Sequence, residues 1–217
     1  MDPAAIQSGY GNGAGDTFAT GINGGKIVGS FRRGGGAEGG FMYDGSTWTT
    51  LIAPGASETY PSAISGNTIV GTFWDGANLH GFAYDGSSWT TLDSPSSTYN
   101  TRVTGIYGSD IVGYYNLLNG NGRGYGFLYD GSTWTTIDDP LATNGVAPDG
   151  VLKGTAVTAI SGDVVVGYYT DSLGNSPHGF IATVPEPPGF VILFTAFASL
   201  FLSRRFARMY RRERRAE

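Results

Sequence analysis

From about residue 17 to residue 184, β-branched and aromatic residues fall in runs of four to seven, separated by clusters of Gly, Asn, Asp and Ser. Such residues suit a pleated, half-buried surface, and no stretch of this region carries an apolar stripe with the helical period of about 3.6 residues. The pattern predicts strands throughout. It also repeats. Tyr43-Asp-Gly-Ser-Thr-Trp-Thr-Thr50 returns at Tyr84 to Thr91 and at Tyr129 to Thr136, spacings of 41 and 45. Upstream of each copy stands Ile27-Val-Gly-Ser-Phe31, then Ile69 to Phe73, Ile111 to Tyr115 and, a fourth time, Val165 to Tyr169. A Gly-Phe pair follows at Phe41, Phe82, Phe127 and Phe180.

Each copy reads as four strands: one before a tight turn, then Ile-Val-Gly-x-aromatic, Gly-Phe-x-Tyr and Trp-Thr-Thr-Leu/Ile. Asp44-Gly45, Asp85-Gly86 and Asp130-Gly131 separate the third and fourth, where a two-residue turn needs positive φ and Asp-Gly supplies it. Short antiparallel strands recurring at this period are the footprint of a β-propeller blade, which cannot bury its faces without a neighbour. The expected fold class is all-β: a β-propeller-like array of four repeats, about 17–58, 59–100, 101–153 and 154–184, with residues 1–16 a linker remnant of a preceding repeat. Trp48, Trp89 and Trp134, at one position of each blade, are expected to pack blade against blade. The fourth copy has no Trp-Thr-Thr strand, and the N-terminal stretch aligns with the linker Asp139 to Ala142 rather than with that strand. No apolar secretory core opens the chain either. Both gaps are expected to close if the coding start lies upstream of Met1.

His80-Gly81-Phe82 and His178-Gly179-Phe180 resemble the His-Ala-Phe repeats of a family of bacterial extracellular proteins, with Gly in place of Ala. The first and third copies lack the His, so both histidines read as loop or packing residues rather than ligands.

The net charge of −5 divides unevenly. Residues 1–188 hold 6 Lys and Arg against 16 Asp and Glu, a formal −10, and residues 189–217 hold 7 Arg against 2 Glu, a formal +5. An acidic globular part argues against nucleic acid as a partner. The C-terminal segment runs from Val184, Pro185, Glu186 and Pro187 through an uncharged stretch, Gly189 to Ser203, to Arg204, Arg205, Arg208, Arg211, Arg212, Arg214 and Arg215. Fifteen helical residues span about 22 Å, short of about 30 Å of hydrocarbon. Phe206, Met209 and Tyr210 extend the apolar character, and the arginine arms snorkel to the headgroups. The reading is a Pro-rich hinge over 185–188 and a transmembrane helix with a basic cytoplasmic tail over 189–217, the repeats facing outward.

This segment resembles the PEP-CTERM sorting signal of bacterial surface proteins. The resemblance implies membrane lipid and an exosortase-type processing enzyme as partners, and a link to exopolysaccharide and biofilm.

Catalytic constellations are nearly absent. With two His and no Cys, the chain offers neither a zinc site nor a Cys-His pair, and no phosphate loop or Gly-x-Ser-x-Gly elbow occurs. Asp44, Asp85 and Asp130 read as turn residues rather than Ca²⁺ ligands, so no metal and no cofactor is expected. The connections between strands two and three, and between blades, vary in length and are expected to emerge at one end. Variable loops on a repeat scaffold are where a binding face is built. Trp74, Asn116, Asn121, Arg123 and Tyr125 are the candidates. The expected function is a non-enzymatic, membrane-anchored surface or extracellular-matrix protein carrying a display or adhesion propeller. The alternative is a carbohydrate-binding or carbohydrate-active propeller using the variable loop face.

Overall fold

The computed structural model describes residues 16–32, 38–97, 100–117, 123–143, 154–170 and 177–184. The hinge, the proposed membrane helix, the arginine cluster and Asn121 lie outside them. Among the described residues there is no helix, and none therefore is long and apolar enough to cross a membrane. The fold is all-β and repeats as expected. β1 (Thr17–Asn23), β2 (Lys26–Arg32), β3 (Glu38–Tyr43) and β4 (Trp48–Leu51) form one antiparallel meander. β5 (Glu58–Ser65), β6 (Thr68–Trp74), β7 (Leu79–Tyr84) and β8 (Trp89–Leu92) form the second. β9 (Asn100–Tyr107), β10 (Asp110–Asn116), β11 (Gly124–Tyr129) and β12 (Trp134–Ile137) form the third. β13 (Thr155–Ser161), β14 (Val164–Thr170) and β15 (Pro177–Thr183) form a three-stranded fourth sheet, which has no Trp-Thr-Thr strand.

Each sheet packs on the next. An apolar seam of Val28, Leu51, Ile64, Ile69 and Phe82 joins the first two, and Val70, Leu92, Val103, Ile106 and Phe127 join the second and third. A hydroxyl stitches every junction. Thr20 Oγ1 donates to the Pro61 carbonyl (2.7 Å), Ser62 Oγ to that of Val103 (2.6 Å) and Thr104 Oγ1 to that of Val157 (2.8 Å). A buried threonine at the start of each following sheet fixes the linker: Thr59, Thr101 and Thr155 accept from the backbone N–H of Ala53, Ser94 and Asp139. These are equivalent residues at equivalent places, so the repeat in sequence is a repeat in contact.

Two details depart from the sequence expectation. The tryptophans take their aromatic partners inside their own blades, with Trp89 and Trp134 also packed against the clusters between sheets: Trp48 lies 5.1 Å from Phe41 and 4.6 Å from Tyr43, and Trp89 and Trp134 repeat the arrangement on Phe82 with Tyr84 and on Phe127 with Tyr129. A four-stranded blade is wide enough for its outer strand to need its own cover, and the indole supplies it. The Asp-Gly turns also hold four residues, not two, since Tyr43 pairs with Trp48 and Tyr84 with Trp89. The true two-residue turns join the first two strands of each blade, where Gly66, Gly108 and Gly162 take φ near +60°.

In the four-residue turns the aspartate ties the loop. Asp85 Oδ1 accepts from the N–H of Ser88 (2.7 Å) and Ser87 (2.8 Å) and from the Ser87 hydroxyl (2.8 Å), and Asp44 and Asp130 do the same. These bonds, the backbone ones foremost, hold the three carboxyls below the usual aspartate value. A depressed folded-state pKa means that the stabilisation is complete above the unfolded value, about 3.9, and is lost as pH falls below it. Melting temperature should therefore drop as pH falls below about 4. Changing Asp44, Asp85 and Asp130 together to Asn, which still accepts but does not titrate, should flatten that drop. An unaltered acid slope in the triple variant would refute this account of the turns.

Candidate functional site

Along β5 the side chains of Glu58 and Tyr60 share one face, because strand residues alternate with a period of two. The antiparallel register sets Trp74 opposite Glu58 and Thr72 opposite Tyr60 on β6. One blade on, Arg102 of β9 stands opposite Tyr114 of β10. Stacking the sheets brings these positions around a cleft of about 610 Å³, whose lining also takes in Thr20 and Ser30 of the first blade. Three consecutive blades thus contribute the same registers, filled with different residues. Rings, hydroxyls, one carboxylate and one guanidinium converge there.

Trp74 closes β6 rather than floating in a loop. Its carbonyl accepts from the Ser57 N–H (2.8 Å) and hydroxyl (3.0 Å), and the turn that follows is tied by Asp75, whose Oδ1 accepts from Ala77 and Asn78 N–H at 2.7 Å. Those backbone bonds, with help from His80, draw the Asp75 carboxyl down to about 2. Asn100 of the next blade caps the start of β7 through the Leu79 N–H (2.9 Å). The indole is therefore presented from a rigid hairpin.

Polarity in the cleft is also organised. The Tyr60 hydroxyl donates to the Glu58 carboxylate, and burial, with that bond behind it, pushes the phenol far above its ordinary pKa. Tyr114 is raised by burial as well. Both are neutral donors across the physiological range. Arg102, exposed, makes no ion pair among the described residues, where Arg123 has one partner and Arg32 and His80 have two each. Its charge is left facing the cleft. The only carboxylate among the cleft's described lining is Glu58.

Of the sequence candidates among the described residues, Trp74 alone lines this cleft. Arg123, Tyr125 and Asn116 gather elsewhere, on the third blade. The Arg123 guanidinium bonds Asp138 (2.7 Å to Oδ1) and covers the Tyr125 ring at 4.9 Å, while Asp138 also accepts from Thr155 of the fourth sheet (3.0 Å). That set clamps one blade to the next. Asn116 is buried, 3% exposed, and neither atom of its amide has a partner among the described residues. His80 bridges Asp93 (2.8 Å) and Asp75 (3.2 Å) and stacks on Phe73; burial opposes its charge, but the two carboxylates outweigh burial and raise its pKa. His178 stacks on Tyr169. His80 thus ties the turn after β6 to the linker after β8, whereas His178 stands exposed at the start of β15. Sequence reading missed Glu58, Tyr60, Arg102 and Tyr114. Their one available signal was variation at fixed positions of the two strands richest in repeat features: Phe18, Tyr60, Arg102 and Ala156 occupy a single register.

No protein-family model and no curated protein matches this chain. Among solved structures it is similar to a mutant of the Aleuria aurantia lectin in complex with Fucα1-6GlcNAc, at 15% identity and a TM-score of 0.42. It is similar also to a mutant of that lectin in complex with α-methyl-L-fucoside, at 14% identity and a TM-score of 0.39. Each match covers 79% of this chain and 64% of the lectin, so the chain spans less than two thirds of the lectin's length.

Proposed function

We propose that the blade array binds carbohydrate in the three-blade cleft, and that the C-terminal segment exports it and holds it at a bacterial cell surface. One observation carries the binding reading. The rings of Trp74, Tyr60 and Tyr114 share a cleft with the Ser62, Thr72 and Thr104 hydroxyls, Glu58 and Arg102. Sugars present C–H faces and hydroxyl edges, and a site of apolar rings with a few convergent polar groups matches both. Arg102 favours an anionic sugar, since it supplies a guanidinium that no carboxylate among the described residues pairs. Among the described lining Glu58 is the one carboxylate, and Tyr60 engages it; glycosidases work with two, so the reading proposed is binding rather than hydrolysis. The Pro-Glu-Pro motif, apolar run and arginine cluster support the surface reading, and an exopolysaccharide ligand would join the two. The propeller would then display or retain that polymer.

Trp74→Ala tests the site. A glycan array probed with the full-length protein in detergent should show binding, and the variant should lose about 2 kcal/mol or more, roughly 30-fold in Kd, with unchanged circular dichroism. No glycan bound, or a variant that binds like the parent, overturns the reading. In the same preparations, the protein's fractionation and intact mass test the tail: recovery from the cytosol as a soluble chain ending at Glu217 would remove the surface assignment.

A further inference from the structure

The first and fourth sheets each carry half of a junction that the inner sheets complete. At the incoming side of an inner junction stand Pro61, Val103 or Val157, all buried; the same position in β1 is Ala19, which is exposed. Ile64 and Ile106 are 6% and 9% exposed there, and their counterpart Ile22 is 72% exposed. The receiving side shows the mirror condition. Val28, Val70 and Val112 are fully buried by the next sheet, while Val166 of β14 is not. Side chains of Pro61, Val103 and Val157 come so close to Gly40, Gly81 and Gly126 that a methyl group there would meet them at 2.7–2.8 Å, whereas among the described residues only a carbonyl, at 3.9 Å, lies near Gly179. Ile181 beside it is 76% exposed. The stitching hydroxyl agrees. Thr20, Ser62 and Thr104 each reach a carbonyl of the following sheet, and Thr158, in the same register, reaches among the described residues only Val166 of its own.

We propose that two copies of this chain associate head to tail, the β13–β15 face of one receiving the β1 face of the next. In that contact the Thr158 hydroxyl donates to the Ala19 carbonyl of the second copy, and Ala19 seats over Gly179 as Val157 seats over Gly126. The occupant is a second copy because its β1 face carries the register, the small apolar residue, the isoleucine and the equivalent backbone carbonyl that three junctions inside the chain already use. The interface is heterologous: each contact consumes one head and one tail. The proposal is independent of what the cleft binds.

The test uses the full-length chain in mild detergent, with light scattering after size-exclusion chromatography over a range of concentrations. The parent should form dimers and larger species. Gly179→Leu fills open space and should fold with an unchanged melting temperature, yet be monomeric; Ala19→Arg, at the other end, should be monomeric too. Thr158→Val removes the donor without adding bulk and should weaken association about tenfold. Mixing Gly179→Leu with Ala19→Arg leaves one intact head and one intact tail, and should yield a one-to-one dimer and nothing larger. A parent that is monomeric throughout, single variants that associate like the parent, or a mixture that stays monomeric would each overturn the proposal.

Discussion

Gly113→Ala is expected to destabilise the protein by about 4 kcal/mol or more, a size reached only when a substitution has nowhere to go. Gly113 sits at the register shift between β9 and β10, where the two backbones approach unusually closely. An added methyl would lie far inside contact distance of the Arg102 carbonyl oxygen and 2.9 Å from the Phe127 ring. The first obstacle is backbone, held by the ladder on both sides, so it cannot swing away as a side-chain tip would. Gly29, Gly71 and Gly167 meet the same obstacle, in the carbonyls of Phe18, Tyr60 and Ala156. The glycine of the Ile-Val-Gly motif is thereby explained by close approach within the sheet. Against a total stability of about 5–15 kcal/mol, the loss should be evident as partial or complete unfolding in urea titration. Gly179→Ala is the control, because the space beside Gly179 is open, and it should be near neutral. If Gly113→Ala and Gly179→Ala melt alike, the close-approach argument is wrong.

Truncating Phe82 to alanine should cost about 3–5 kcal/mol. The ring is 1% exposed, lies across Gly71 and packs 5.0 Å from Trp89 at a 56° tilt, so removing it leaves a cavity bounded by rigid neighbours. Phe82→Leu should recover part of the loss. The Gly71→Ala, Phe82→Ala double variant should not: emptying the ring position relieves one clash of the added methyl and leaves the other, against the Tyr60 carbonyl, in place. Denaturation of the single and double variants decides the matter. A loss under about 1 kcal/mol for Phe82→Ala would mean that the Gly-Phe pair is not the centre of the blade.

These two residues also show how far local pattern reaches. The Gly-Phe and Ile-Val-Gly strings mark their strands without any structure, but that the ring of one lies on the glycine of the other depends on the β6–β7 register. Trp89 illustrates the limit from the other side. Its recurrence announces a structural role, and only the meander's width decides that it covers its own blade. Trp74 was conspicuous as the one tryptophan outside the repeat, whereas Arg102 and Tyr60 were hidden in strands whose neighbours in sequence are ordinary core residues. Arg123, singled out with Trp74 for its place in a variable connection, is neutralised by Asp138 fifteen residues away, a pairing that no local pattern announces.

By itself the chain determined its strands, its turns and its fourfold repetition, because those follow from interactions within a few residues: β-branched packing on a pleat, aspartate bonding back to its own turn, glycine where φ is positive. Tertiary structure decided which positions become a site. Stacking sheets places residues about forty apart side by side, so whether Glu58, Trp74 and Arg102 share a cleft, and whether Thr158 finds a carbonyl beyond its own sheet, depends on what the next sheet brings to the same register.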